Sequence, residues 1–142
     1  MKTVVLDASV TVKWALNKPE REPDTDAAME VMYSVASRKV AALQPAHWLA
    51  EVAGVLAREV PETAVEDVRL VQAMRLPVTD GPEIMRRACE MSIETGQHVF
   101  DTLYHAIALE TPNAVLITAD ETYMRKAKHF GNIQLLRDRF FH

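Results

Sequence analysis

Four acidic residues stand where they could do chemistry together. Asp7 follows the apolar run Val4-Val5-Leu6, and Asp120 follows Val115-Leu116-Ile117-Thr118 with one residue between. Asp101 opens a segment carrying Leu103, Tyr104, Ala106, Ile107 and Leu109 at helical spacing, and Glu51 sits beside the stripe Leu49, Val52, Ala53 and Leu56. An Asp at a helix start is adequately explained as a cap. A mid-helix Glu beside an apolar stripe gains nothing from capping and prefers to be solvated. If the four converge, two carboxylates about 4 Å apart repel by roughly 4 kcal/mol at an effective dielectric near 20. Such a cluster calls for a cation. Carboxylate oxygens are the hard ligands that Mg²⁺ and Mn²⁺ select, and no His or Cys grouping has zinc spacing. One or two such ions lower the pKa of a bound water, orient a phosphodiester for in-line attack and stabilise the charge that develops. No side-chain nucleophile is then required.

The elements that must position these acids follow from periodicity. Val4 to Leu6 reads as a strand, followed by a helix over Val10 to Leu16 and a polar loop over Asn17 to Pro23. A helix is expected from Asp24 to Ser37 and a strand from Val40 to Leu43. Pro45 opens the segment that holds Glu51 mid-helix. Thr63-Ala64-Val65-Glu66 has the form of a capping box, starting a helix to about Met74, and Asp80-Gly81-Pro82-Glu83 repeats the device before a helix ending at Thr95-Gly96. Between them, Leu76 to Thr79 is a short strand. The Asp101 helix closes at Thr111-Pro112, the strand Val115 to Thr118 leads through Asp120 into a helix reaching Lys128, and Ile133 to Leu136 is a last strand. Strands alternating with amphipathic helices predict an α/β fold with a mainly parallel sheet of four to five strands. In such sheets ligands gather beyond the carboxyl ends of the strands, the position of Asp7 and Asp120.

Length and composition set the frame. A chain of 142 residues, 49% hydrophobic and 25% charged, fits one globular domain over 1–142. The apolar start is too short for a signal-peptide core or a membrane span, which predicts a cytoplasmic protein with no membrane partner. Cys89 has no cysteine to pair with and reads as a buried structural thiol in a helix. A net charge of -4 argues weakly against non-specific nucleic-acid binding, but a bound cation offsets clustered acids locally, so RNA is not excluded.

The chain resembles the PIN-domain nucleases, and most closely the VapC-type ribonuclease toxins of toxin–antitoxin pairs. The likeness rests on Val5-Leu6-Asp7-Ala8-Ser9-Val10 with Lys13-Trp14, on Pro45 leading to Trp48-Leu49-Ala50-Glu51-Val52-Ala53, on Phe100-Asp101-Thr102-Leu103-Tyr104, and on Leu116-Ile117-Thr118-Ala119-Asp120. It spans nearly the whole chain, and the order and spacing of the four blocks carry it. The resemblance implies a three-layer α/β/α sandwich with Asp7, Glu51, Asp101 and Asp120 as an acidic quartet holding Mg²⁺ or Mn²⁺. It also implies an RNA substrate, a homodimer, and a VapB-type antitoxin partner. Ser9 and Thr118 fall on hydroxyl positions that order metal-bound water or neighbouring carboxylates in the family. The plain alternative is that they bond local backbone. Where many relatives have Asn three residues after the helix Glu, this chain has Gly54. The three aspartates, at element ends, are expected to touch the cation directly, and Glu51 to act through water.

Lys13 is the candidate contact to a substrate phosphate, with Arg86-Arg87 and Arg125-Lys126 as a basic rim. Read plainly, all are solvated charges. His47 lies four residues before Glu51 and His105 four after Asp101, so each pair could share a helix face. A mixed His–carboxylate site and a surface or partner-facing His are the two readings. Trp14, Trp48 and Tyr104 are read as core, and Phe140-Phe141-His142 as a terminus that docks on its own domain or meets a partner. Two rivals are enzymatic or signalling. An aspartyl-phosphate phosphatase wants a second Asp where Ser9 stands, and a receiver domain wants paired acids and a late Lys. A catalytically inactive PIN-like module that binds RNA or protein is the third.

Overall fold

Two strands with no polar residue between their ends form the centre of the sheet. β1 (Thr3–Leu6) and β5 (Ala114–Thr118) pair in parallel, with Val4 opposite Val115 and Leu6 opposite Ile117. Val4, Val5, Leu6, Leu116 and Ile117 are fully buried, which is the signature of parallel strands covered on both faces. The computed structural model describes residues 1–16 and 23–139. Most of the loop expected over Asn17 to Pro23, and the tail Phe140-Phe141-His142, lie outside them. The sheet is completed by β2 (Ala41–Ala42) on β1 and β6 (Ile133–Leu135) on β5, giving the all-parallel order β2-β1-β5-β6.

The strand expected over Val40 to Leu43 is shorter and is followed by a change of sheet. After β2 the chain runs into β3 (Gln44–Pro45), which pairs in parallel with β4 (Val78–Thr79) in a separate two-stranded sheet. The reason is local. Pro45 has no N–H to offer a ladder. The buried Gln44 side chain instead takes the N–H of Leu6 at 2.8 Å and donates its amide to the Leu6 carbonyl at 2.8 Å. A side-chain amide thus replaces a strand partner for the residue immediately before Asp7.

Helices cover the sheet in two groups. α1 (Ala8–Ala15) packs on β5 and against α2 (Thr25–Ala36), α3 (Trp48–Glu59) and α4 (Ala64–Gln72). α6 (Val99–Glu110) packs on β1, β3 and β5, with α5 (Pro82–Thr95) against it. α7 (Glu121–Ala127) follows β5 and runs into a 3₁₀ turn over Lys128–Phe130. The result is the expected α/β architecture with a central parallel sheet between helices.

Some local expectations are corrected. Thr63 precedes α4, but its hydroxyl donates to the Asp67 carboxylate at 2.9 Å instead of capping. Gly81, not Asp80, is the N-cap residue of α5, with Pro82 in the first turn where its missing N–H is harmless. Gly96 closes α5 in the left-handed conformation, φ 72°, as the Thr95-Gly96 signal predicts. Cys89 is exposed, not buried, because the buried stripe of α5 runs through Ala88 and Met91. Trp14, Trp48 and Tyr104 are core residues as expected. Among the described residues no helix is long and apolar enough to cross a membrane.

Candidate active site

Asp7 leaves the end of β1 and becomes the N-cap of α1, its Oδ1 accepting the Ser9 N–H at 2.7 Å. The Ser9 hydroxyl donates to the same oxygen, and the Thr118 hydroxyl donates to Oδ2 at 2.7 Å. Each hydroxyl has one proton, so each gives it to Asp7 and accepts from backbone on the other side. Ser9 Oγ takes the Ala119 N–H at 2.9 Å, and Thr118 Oγ1 takes the Asp120 N–H at 3.0 Å. The two side chains tie the ends of β1 and β5 together through the carboxylate between them. Ser9 and Thr118 each bond both the Asp7 carboxylate and the backbone at the end of β5.

Asp120 begins α7, its Oδ1 accepting the Tyr123 N–H at 2.9 Å. Asp101 lies in the first turn of α6 but does not cap it. His98 does, through Nδ1, which accepts the Phe100 N–H at 3.1 Å. Asp101 is therefore not explained by helix capping. Glu51 stands in the first turn of α3, nearer the helix start than expected, because α3 begins only at Trp48. Its Oε1 accepts the Tyr104 hydroxyl at 2.8 Å and lies 2.8 Å from His47 Nε2. That nitrogen is also 3.2 Å from the Phe100 carbonyl. Carboxylate and carbonyl only accept, so Nε2 carries the proton.

Electrostatics joins the four acids. Burial pushes Asp7 from its ordinary 3.8 up to about 6, against the pull of its three hydrogen bonds, and the charge of Asp101 adds to the rise. Asp101 is also raised, first by burial and then by repulsion from Glu51 and Asp120, with His98 and His47 opposing. Tyr104 is raised by burial and by Glu51, so its phenol stays protonated and remains a donor. Asp7 feels Asp101, and Asp101 feels Glu51 and Asp120. The donor set is all oxygen and net negative, which suits a hard divalent cation and gives a soft metal nothing to bind. Among the described residues no three His, Cys, Asp or Glu side chains stand as a group that could hold a metal ion as they are. Glu51 is turned to Tyr104 and His47, and Asp120 gives one oxygen to its helix cap.

The other candidates divide. Lys13 is not a solvated charge. It is 5% exposed and lines a cavity of about 330 Å³ with Asp24, Arg137 and the two chain neighbours of Asp120, Ala119 and Glu121. Arg86 pairs with Glu83 and Glu90, and Arg87 with Glu110, along the α5 surface, while Arg125 and Lys126 are exposed on α7. His105 is neither at the acids nor at the surface. It is fully buried, with Nε2 donating to the Gly131 carbonyl at 2.7 Å and Nδ1 accepting the Tyr123 hydroxyl at 3.0 Å. Burial lowers its pKa, in keeping with a neutral ring. Gly54 faces open space, and a side chain there would meet nothing within 4 Å.

Sequence reasoning missed three contributors. Gln44 holds the backbone before Asp7, and its only signal was a polar residue ending an apolar strand. Tyr104 was legible as core, but a buried phenol needs a partner, and Glu51 provides it. Phe100, 48% exposed beside Asp101, has the rings of His47 and His98 each 4.8 Å away. His47 also lines a mostly apolar recess of about 220 Å³ with Ile84, Met85 and Leu103.

Compared with known protein families, residues 4–129 match the family described as PIN domain. No curated protein matches the chain.

Proposed function

Because the chain belongs to the PIN-domain family, whose members are generally metal-dependent nucleases, we propose that it is an endoribonuclease using Mg²⁺ or Mn²⁺ at Asp7, Glu51, Asp101 and Asp120. The observation that carries this reading is the Asp7 carboxylate. It is fixed on both oxygens by Ser9 and Thr118 and raised in pKa by burial, with the charge of Asp101 adding to the rise. Ion-binding sites are built this way, with a ligand held still by hydroxyls that are themselves anchored to backbone. A structural cap would need only one of those bonds.

When bound, one or two divalent ions supply Lewis acidity, activating water and offsetting the charge that develops on the phosphate. The chain's own residues do the positioning. Ser9 and Thr118 keep Asp7 in a single orientation, so it does not reorganise when substrate arrives. Asp101 and Asp120 approach from the starts of α6 and α7, where a ligand has access. Glu51, kept in place by the Tyr104 hydroxyl and the His47 Nε2–H, would reach the cation through water. Lys13, at the cavity beside Asp120, contacts a neighbouring phosphate.

We further propose that the whole chain, 1–142, is one domain that acts in the cytoplasm as the toxin of a toxin–antitoxin pair. It is a homodimer restrained by a VapB-type antitoxin. This rests on the resemblance of the four motif blocks to VapC-type toxins.

The decisive experiment incubates a structured RNA pool with the pure protein plus Mg²⁺ or Mn²⁺, plus EDTA, and with Asp7→Asn and Asp101→Asn. Cleavage should need the metal and fall at least about 1,000-fold in each variant, the scale of removing a group that stabilises transition-state charge. Equal cleavage in every sample overturns the reading. Growth arrest on expression, lost in the same variants, tests the toxin role. A folded protein that binds RNA but never cleaves it points instead to an inactive PIN-like module.

A further inference from the structure

One aromatic group beside the acids stands half exposed. The apolar residues in the body of α6 are turned inward: Ala106, Ile107 and Ala108 are fully buried and Tyr104 nearly so. Phe100 is not, at 48% exposure. Its backbone is nevertheless bonded on both sides, and its ring has two aromatic neighbours. Its N–H donates to His98 Nδ1, its carbonyl accepts from His47 Nε2–H, and the His98 and His47 rings lie 4.8 Å from its own at interplanar angles of 34° and 31°. His47 is in turn held by Glu51 at 2.8 Å and lies edge-on to Tyr104 at 5.2 Å. The outcome is a ladder of three tilted rings, in which Phe100 contacts both imidazoles, adjoining Asp101 in the chain.

We propose that this ladder is a stacking platform for an unpaired base of single-stranded RNA, placing the nucleotide whose phosphate lies at Asp101. The inference rests on the ribonuclease reading and names the residue that positions its substrate. Three observations carry it. The rings are pre-ordered, so a base adds to the stack without ordering a side chain first. The platform is half exposed and directly beside the acids, where the chain of a bound nucleotide must pass. The apolar recess shared by His47 offers a neighbouring base a second contact. Unpaired bases stack on Phe and His in RNA-binding sites, and such stacking tolerates any base because every base has a π-face. A duplex, with its bases already stacked on one another, would not engage the ladder.

The test uses an RNA oligonucleotide carrying 2-aminopurine at the cleaved position, bound to the full-length protein with Asp7→Asn in the background to block cleavage. Binding should quench 2-aminopurine fluorescence. Phe100→Ala should abolish the quenching and weaken binding about tenfold, the scale of one lost base–aromatic stack, while Phe100→Trp restores both. In the otherwise wild-type enzyme, Phe100→Ala should raise KM for single-stranded RNA. Phe100 is exposed, so the variant should melt like its parent, and circular dichroism checks this. Quenching, affinity and KM unchanged in Phe100→Ala, with cleavage intact, overturn the platform and leave the nuclease reading standing. No binding and no cleavage by the parent protein overturn both. A duplex that binds as tightly as the single strand and loses equally on Phe100→Ala also overturns the proposal.

Discussion

Helix α6 carries two polar clusters, one buried and one half-buried, and they are built on opposite principles. Around His105 every partner is accounted for. Nε2–H meets the Gly131 carbonyl, Nδ1 meets the Tyr123 hydroxyl, and the ring is held neutral. One turn away, Thr102 closes its hydroxyl on the Ala88 carbonyl at 2.7 Å. This half of the helix is a joint between α5, α7 and the turn at Gly131. Around Asp101 and Tyr104, partners do not balance. Asp101 has no cap to make, Glu51 receives two donors on one oxygen, and burial, with the charges of Glu51 and Asp120 adding, raises the pKa of Asp101. A cluster that serves the fold uses up its hydrogen-bonding capacity. One that serves a ligand keeps acceptors in reserve and tolerates repulsion until the ligand arrives.

The sharpest way to break this contrast is to mutate each cluster and read both activity and stability. Asp101→Asn should remove metal-dependent RNA cleavage while leaving the melting temperature unchanged or higher. His105→Leu should do the reverse. It leaves the Tyr123 hydroxyl and the Gly131 carbonyl unpartnered, for a loss of about 3 kcal/mol in urea unfolding, while cleavage per folded molecule stays within about threefold. If His105→Leu removed cleavage without lowering stability, the two clusters would not be separable.

A smaller effect concerns pH. The folded pKa of Asp7, about 6, lies above the unfolded 3.8, so the folded chain holds a proton that the unfolded chain has already released. The stability this lends is whole below the unfolded value, falls as pH rises through the folded value, and is gone above it. Asp7→Asn has no such loss. Relative to the wild type it should gain up to about 3 kcal/mol between about pH 4 and pH 7, measured by urea unfolding in EDTA. Mn²⁺ should then stabilise the wild type near neutral pH and leave the variant unmoved. An identical pH dependence in both proteins would remove Asp7 as the strained member.

The smallest effect comes from the Tyr104 hydroxyl, which joins the core to Glu51. Tyr104→Phe keeps the buried ring and deletes the donor to Glu51. Stability should fall by about 1 kcal/mol, and cleavage by no more than about tenfold, because the His47 bond remains. A loss as large as that of Asp101→Asn would make the hydroxyl part of the chemistry.

Much of this was legible without coordinates. The runs ending at Asp7 and Asp120, each apolar, short and β-branched, fix two buried parallel strands and put acids at their carboxyl ends. The period of the segment after Asp101 fixes a helix that starts beside it. Other features were hidden because their causes lie far along the chain. Gln44 reaches Leu6, Tyr104 reaches Glu51, and Phe100 is framed by His47, more than fifty residues distant. Cys89 and Lys13 were misjudged because one helical step, or one neighbouring helix, decides what is covered.

By itself, then, the sequence determined the α/β alternation and the types and order of the residues gathered at the site. Those depend on local periodicity and on which side chains can tolerate burial. Only the tertiary structure decided that Ser9 and Thr118 grip one carboxylate from two strands, that His105 closes on itself while Asp101 does not, and that Phe100 stands ordered in solvent. Hydrogen bonds and packing between distant segments depend on distances of tenths of an ångström, and no spacing along the chain encodes them.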